Sequence, residues 1–232
     1  MDLILDGLKK AFWLLITGDP EIVEIALLSL KVSATATLIS LLIGIATGTA
    51  LALTPFRGRR FVISLINTGM GVPPVVVGLW VTIFLWRGGP LGFLGILYSP
   101  SAMILAQAII ATPIVMGVTV AAIQHLPEKL RLQILALGAT RFQMVWILIR
   151  EAKLPLLAGV MAGFGGVISE VGASLMVGGN IKGYTRVLTT ATVTETSRGN
   201  FDVAIALGLI LFLLAYGINL ILTTIQQRER VR

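Results

Sequence analysis

Residues 61–86 read FVISLINTGMGVPPVVVGLWVTIFLW, a stretch with no charged side chain. As a helix rising ~1.5 Å per residue it is long enough to cross ~30 Å of hydrocarbon. Arg57, Arg59 and Arg60 precede it and Arg87 follows it, the pattern of an apolar span with charge at both ends. Trp86 stands at the boundary, where an interfacial aromatic belongs. Pro73-Pro74 leaves two shapes open, a kinked helix or a broken one.

Working outward, four more stretches have the same character: Ile25–Leu53, interrupted only by Lys31; Ser101–Gln124; Leu154–Val177, with Glu170 inside; and Val203–Thr224. The chain of 232 residues is 56% hydrophobic and 12% charged, whereas about a quarter of a soluble domain is charged. This composition predicts an all-α, polytopic transmembrane helical bundle of five spans, a single domain over residues 1–232. Small residues recur four apart at Gly44/Gly48 and Gly159/Gly163, a spacing that lets helix backbones approach closely; the plainer reading is that they simply reflect the composition of membrane helices.

Ahead of the first span, residues 1–24 carry only a short apolar patch, Ala11–Thr17, with Asp2 and Asp6 before Lys9 and Lys10. That balance suits a signal peptide poorly. It suits an interfacial helix anchored by Phe12 and Trp13. The net charge of +7 sits between apolar runs, so it reads as membrane topology and not as a nucleic-acid surface. Arg57, Arg59, Arg60, Lys129, Arg131, Arg141, Arg150, Lys153, Arg228, Arg230 and Arg232 fall on one side; Lys9, Lys10, Arg87, Lys182, Arg186 and Arg198 fall on the other. The richer side is expected to be cytoplasmic, with the N-terminus outside.

Two connections carry the functional signal. In residues 125–153, Pro127-Glu128 opens a helix, Leu132, Ile134, Leu135 and Leu137 continue it, and Gly138 stops it. Ala139-Thr140-Arg141-Phe142-Gln143 then opens a second helix. A helix–glycine–helix elbow with an aromatic at its tip is shaped to enter another protein's groove; an ordinary membrane-surface loop is the alternative. Residues 178–202 read as an external loop crowded with hydroxyls: Thr185, Thr189, Thr190, Thr192, Thr194, Thr196 and Ser197. Hydroxyls can bind a tetrahedral oxyanion without trapping it, and Arg186 and Arg198 could draw it in. The plainer reading is that they cap turns and helices. Glu170 inside a span costs roughly 2.5–3.5 kcal/mol on insertion scales. It would repel an anion, and its depth of ~10 Å matches that of Lys31, so an ion pair between the two is expected; the alternative is that Glu170 bonds neighbouring backbone groups or lines the closed gate.

Several classes of chemistry are absent from the sequence. The chain has no cysteine, which excludes disulfides and thiolate sites. No Gly-x-x-x-x-Gly-Lys-Ser/Thr run occurs, so the chain holds no ATP-binding loop of its own. His125 is the single histidine, no metal site is expected, and no catalytic carboxylate pair is visible.

Ala136-Leu137-Gly138-Ala139-Thr140-Arg141-Phe142-Gln143 resembles the cytoplasmic loop of ABC importer permeases. In that family a glutamate-alanine-alanine triplet precedes the glycine and a Leu-Pro follows. Here Leu132 stands at the glutamate position, and Leu154-Pro155 comes about one helical turn late. Ser169-Glu170-Val171-Gly172-Ala173, Gly178-Gly179-Asn180-Ile181 and Glu195-Thr196-Ser197-Arg198-Gly199-Asn200-Phe201 resemble the tungstate-type branch, close to molybdate permeases. The resemblance implies a type I importer permease fold in a prokaryotic inner membrane. Two cytoplasmic subunits would hold ATP and Mg, and an external binding protein would deliver the oxyanion. It makes the elbow from Ala136 to Gln143 the ATPase-coupling element. The path or gate residues it suggests are Ser169, Glu170, Ser174, Asn180, Thr189, Thr190 and Thr194. Five spans enclose a path most simply as a two-fold homodimer. Permeases for molybdate, sulfate or phosphate, a self-sufficient secondary transporter, and a non-transporting assembly factor are the rival readings.

Overall fold

The computed structural model describes residues 2–231, and the side chains of residues 5–228 apart from that of residue 15. Helix α1 (Asp2–Thr17) ends at Gly18, whose φ is +60°. Asp19 then caps α2 (Pro20–Leu53), its Oδ1 accepting from the N–H groups of Glu21 at 3.0 Å and Ile22 at 3.2 Å. The N-terminal helix is therefore shorter than the 1–24 segment expected, because Asp19-Pro20 is a complete start signal.

The stretch 61–86 is broken and not merely kinked. Helix α3 (Arg59–Gly71) and helix α4 (Pro74–Leu85) meet at 101° across Val72-Pro73. Proline at 73 and 74 removes two backbone donors, and the preceding residues are driven into extended geometry. At 12 residues, α4 is about 18 Å long and cannot cross the bilayer alone.

Helix α5 (Pro100–Gln124) is continuous through Pro113. The elbow follows as α6 (Glu128–Ala136) and α7 (Arg141–Glu151). Helix α8 (Lys153–Ile168) and the short α9 (Gly172–Gly178) form a second bent pair, at 58°. Helix α10 (Leu188–Ser197) and the long α11 (Phe201–Val231) complete the chain. Three continuous helices (α2, α5 and α11) and two bent pairs thus account for the five spans.

Helix α5 is the centre, and its glycine partners show why. A Cβ on Gly44 would lie 2.7 Å from Val115, and one on Gly48 would lie 2.8 Å from Thr119. From α8, a Cβ on Gly159 would come within 3.0 Å of Val118, and one on Gly163 within 3.3 Å of Val115. Both small-residue pairs read from the sequence therefore converge on one turn of α5, where lipid-like packing needs bare backbone. Ser40 Oγ adds a hydrogen bond to Ala108 O at 3.1 Å.

Apolar clusters flank this waist. Val32, Val81, Leu85, Met103, Ala173 and Val177 pack at the end carrying the start of α5. Ala122, Ile123, Ile134, Met144, Leu148 and Leu156 pack under the elbow. Ala11 and Leu14 seat α1 on Ala206 of α11, where Lys10 Nζ meets Asp202 Oδ2 at 2.6 Å. Phe12 and Trp13 stay exposed.

Candidate functional site

Two regions gather the residues singled out above. The elbow is built from consecutive local signals. Gly138, at φ +82°, donates to Leu135 O at 3.0 Å, and Ala139 N–H reaches Ile134 O at 3.4 Å, the paired bonds of a Schellman stop. Two residues later Thr140 and Gln143 form a capping box: Gln143 N–H donates to Thr140 Oγ1 at 3.3 Å and Thr140 N–H to Gln143 Oε1 at 2.8 Å. Gln143 is thus occupied in holding the turn.

Ile134, Met144 and Leu148 anchor the underside. The upper side stays bare: Leu137 is 88% exposed, Phe142 81% and Trp146 63%. Together with Gly138, Ala139, Gln143 and Ile147 they line a groove of about 550 Å³. Ala136 and Arg141 are exposed, as is Leu132 at the position of the family glutamate. A contiguous apolar tip on a rigid mount is the kind of surface that meets another protein or a membrane.

The second region surrounds α9. Glu170 sits in the break between α8 and α9, buried, with its Oε1 accepting from Ala173 N–H at 2.8 Å. Its backbone oxygen accepts from Thr189 Oγ1 at 2.9 Å. At the far end of α9, Val177 O takes Tyr98 N–H at 2.8 Å and Gly178 O takes Thr185 Oγ1 at 2.6 Å. In the middle, Ser174 Oγ accepts from Gln107 Nε2 at 3.2 Å. Seven residues of helix are thereby held by bonds from α5, α10 and two connecting segments. Ser169 stands apart, its hydroxyl returned to Gly165 O at 2.8 Å. Asn180 also stands apart: its Nδ2 donates to Thr194 Oγ1 at 2.7 Å and its Oδ1 accepts from Arg186 Nε at 3.3 Å.

Two expectations are corrected. The pair Lys31–Glu170 is not formed: Lys31 lies on the exposed side of α2, while the Glu170 carboxylate turns inward to cap α9. Residues 178–202 are not a loop throughout, since α10 occupies the middle. Thr192, Thr194, Thr196 and Ser197 return their hydroxyls to the backbone four residues earlier, at 2.8–2.9 Å. Thr190 exchanges bonds with Val187 at 3.1 Å. These hydroxyls satisfy their own helix and do not converge on a common space.

The basic residues here are also engaged. Arg198 pairs with Glu195 at 2.8 Å, and Asn200 Nδ2 donates to the other carboxylate oxygen at 2.7 Å. The Asn200 amide, with Arg198 behind it, holds the Glu195 carboxyl below its ordinary range.

Residues 40–231 match the binding-protein-dependent transport system inner membrane component family. The chain belongs to that family. This permease is 40% identical, over 98% of its own length and all of the relative's, to the tungstate uptake system permease protein TupB of Peptoclostridium acidaminophilum. It is 30% identical to the molybdenum transport system permease protein ModB of Escherichia coli K12, across 82% of this chain and 87% of that one. An inward-facing structure of the MetNI methionine ABC transporter superposes with a TM-score of 0.71 at 21% identity, covering 94% of this chain and 96% of that one. That likeness assigns the type I importer permease fold.

Within the permease, Gln107 is one residue that reading the sequence missed. It is 3% exposed in the middle of an apolar span, and a strong polar amide at that depth is the signal that would have found it. Tyr98 was missed too, because its left-handed φ of +62° has no counterpart in residue type.

Proposed function

We propose that this permease is the membrane-spanning subunit of an ATP-driven importer that passes a tetrahedral oxyanion, tungstate first, through a two-fold homodimer interface. The single observation that carries the reading is the elbow: three large apolar side chains stand exposed on a turn fixed by a Schellman stop and a capping box. An ATP-binding subunit on the cytoplasmic side is the partner this surface fits. The bias of Lys and Arg toward the elbow side supports that orientation, with the N-terminus outside and the C-terminus in the cytoplasm. The likeness to a tungstate permease along nearly the whole chain supports the cargo, and an external binding protein would select it.

In this reading the permease contributes force transmission and a gate. ATP binding closes the partner subunits, with their Mg, and moves the paired elbows; α8 and α5 carry the displacement to α9. The α8–α9 break, with Glu170 as its internal cap, is the gate scaffold. Glu170 is not a ligand for the anion, since its charge would oppose a dianion. Ser174 and Thr189 hold that scaffold, and Ser169, Asn180, Thr190 and Thr194 flank it.

The test is co-purification with the products of neighbouring genes, followed by ATP hydrolysis in proteoliposomes loaded with the binding protein. Stimulation by tungstate that molybdate, sulfate and phosphate fail to match supports the reading. Stronger stimulation by molybdate moves the cargo to the second reading, which the ModB likeness favours. Uptake that persists without any ATPase subunit overturns it in favour of a secondary transporter.

A further inference from the structure

Gln107 is the exception in a region where polar groups are otherwise satisfied. Glu170, Thr185, Thr189 and Thr190 all have partners, but Gln107 Oε1 is shielded from solvent and meets no donor of the protein. With the two ends of the amide exchanged, the Ser174 hydroxyl would donate to Oε1 and Nε2 would give up Ser174 as its acceptor. A half-satisfied buried amide is worse placed than an apolar side chain of the same size.

The amide touches the short second half of a bent helix pair. Helix α9 is seven residues long, is set at 58° to α8 and has Gly172 at one end and Gly178-Gly179 at the other. Its position depends on the packing of Ala173 and Val177 against Val81, Leu85 and Met103 and on bonds at Glu170, Tyr98 and Thr185, with Gln107 supplying a hydrogen bond from within the α5 span.

Resting on the transport reading above, we propose that Gln107 is a positioning residue that senses the place of α9 in two conformations. Here its Nε2 holds Ser174 and its Oε1 is unpaired. In the second conformation, a donor carried by the displaced α9 completes the amide. The unpaired carbonyl raises the energy of the present arrangement and so biases the permease toward the other.

The experiment compares Gln107→Met and Ser174→Ala in the full importer, with Gln107→Leu as a second variant should Met misfold. It measures thermal unfolding of the detergent-solubilised complex and ATP-driven tungstate uptake. Gln107→Met should unfold at or above the wild-type temperature while uptake falls about tenfold, the effect of a one-decade shift in a two-state balance. Ser174→Ala, which strands the amide entirely, should unfold below wild type. A purely structural contact predicts instead that Gln107→Met loses stability and uptake together, and that result overturns the proposal. Wild-type behaviour in both measurements overturns it as well. Absence of ATP-driven uptake in the wild type fells the transport reading itself, and this proposal with it.

Discussion

The elbow and α9 are both short helical pieces at a change of chain direction, yet they are made in opposite ways. The elbow is written locally: Gly138, Thr140 and Gln143 set its geometry within six residues, and only its anchor reaches elsewhere. Helix α9 is held by groups far along the chain, with Gln107 reaching Ser174 across 67 residues and Thr189 reaching Glu170 across 19. A device that must survive contact with a moving partner gains from a rigid local turn. A device that must itself shift gains from separate, breakable contacts.

The sharpest way to break the comparison is at the elbow tip. Phe142→Asp should leave the permease folded, because Phe142 is bare and contributes nothing to the anchoring cluster. Pull-down of the ATPase subunit should nevertheless fall by more than about tenfold, as expected for an aromatic anchor at the centre of an interface. Equal recovery of the partner would move the contact away from this groove.

A comparable test at α9 is expected to act on stability. Glu170→Ala removes the cap and leaves Ala173 N–H buried without an acceptor, a loss of about 1–3 kcal/mol by analogy with stranded donors. Glu170→Gln keeps an acceptor oxygen and should come within about 1 kcal/mol of wild type, measured by thermal unfolding in detergent. If Gln is as damaging as Ala, the carboxylate is needed for its charge and the capping account is wrong.

How much of this could be read from the chain follows the same division. The five spans, the waist glycines, and the elbow with its stop and restart at Gly138 and Thr140 were legible, because each depends on neighbours in sequence or on apolar length. The break at Pro73 was visible as a choice between kink and break, and its 101° angle was not. The hydroxyl-rich segment before α11 misled because threonine favours turns on its own. Back-bonding and burial against α2 and α11 turned it into α10, with Ser29 Oγ accepting from Leu188 N–H at 2.8 Å. The Lys31–Glu170 pair misled because depth in a span says nothing about which side of the helix a residue occupies.

The waist sharpens the packing half of the argument with a graded effect. Gly48→Ala places a methyl 2.8 Å from Thr119 and 2.9 Å from the Met116 carbonyl oxygen, and backbone cannot give way as a side-chain tip can. A cost of about 1–3 kcal/mol is expected from overpacking. Gly166→Ala, whose nearest contact is Ile114 at 3.8 Å, should be neutral or slightly stabilising in the same unfolding measurement.

The smallest expected effects fall where depth and composition alone suggested function. Lys31→Met removes an exposed charge that has no carboxylate partner here, so unfolding should move by no more than about 0.5 kcal/mol and uptake should hold. Thr196→Ala removes a hydroxyl bonded only to Thr192 O, with the same small outcome. Thr189→Ala, by contrast, frees the Glu170 carbonyl at the α8–α9 break and should slow uptake even where Thr196→Ala does not. Equal effects at 189 and 196 would mean that α10 acts through its hydroxyl surface as a whole, and the distinction between scaffold and self-satisfied threonines would be lost.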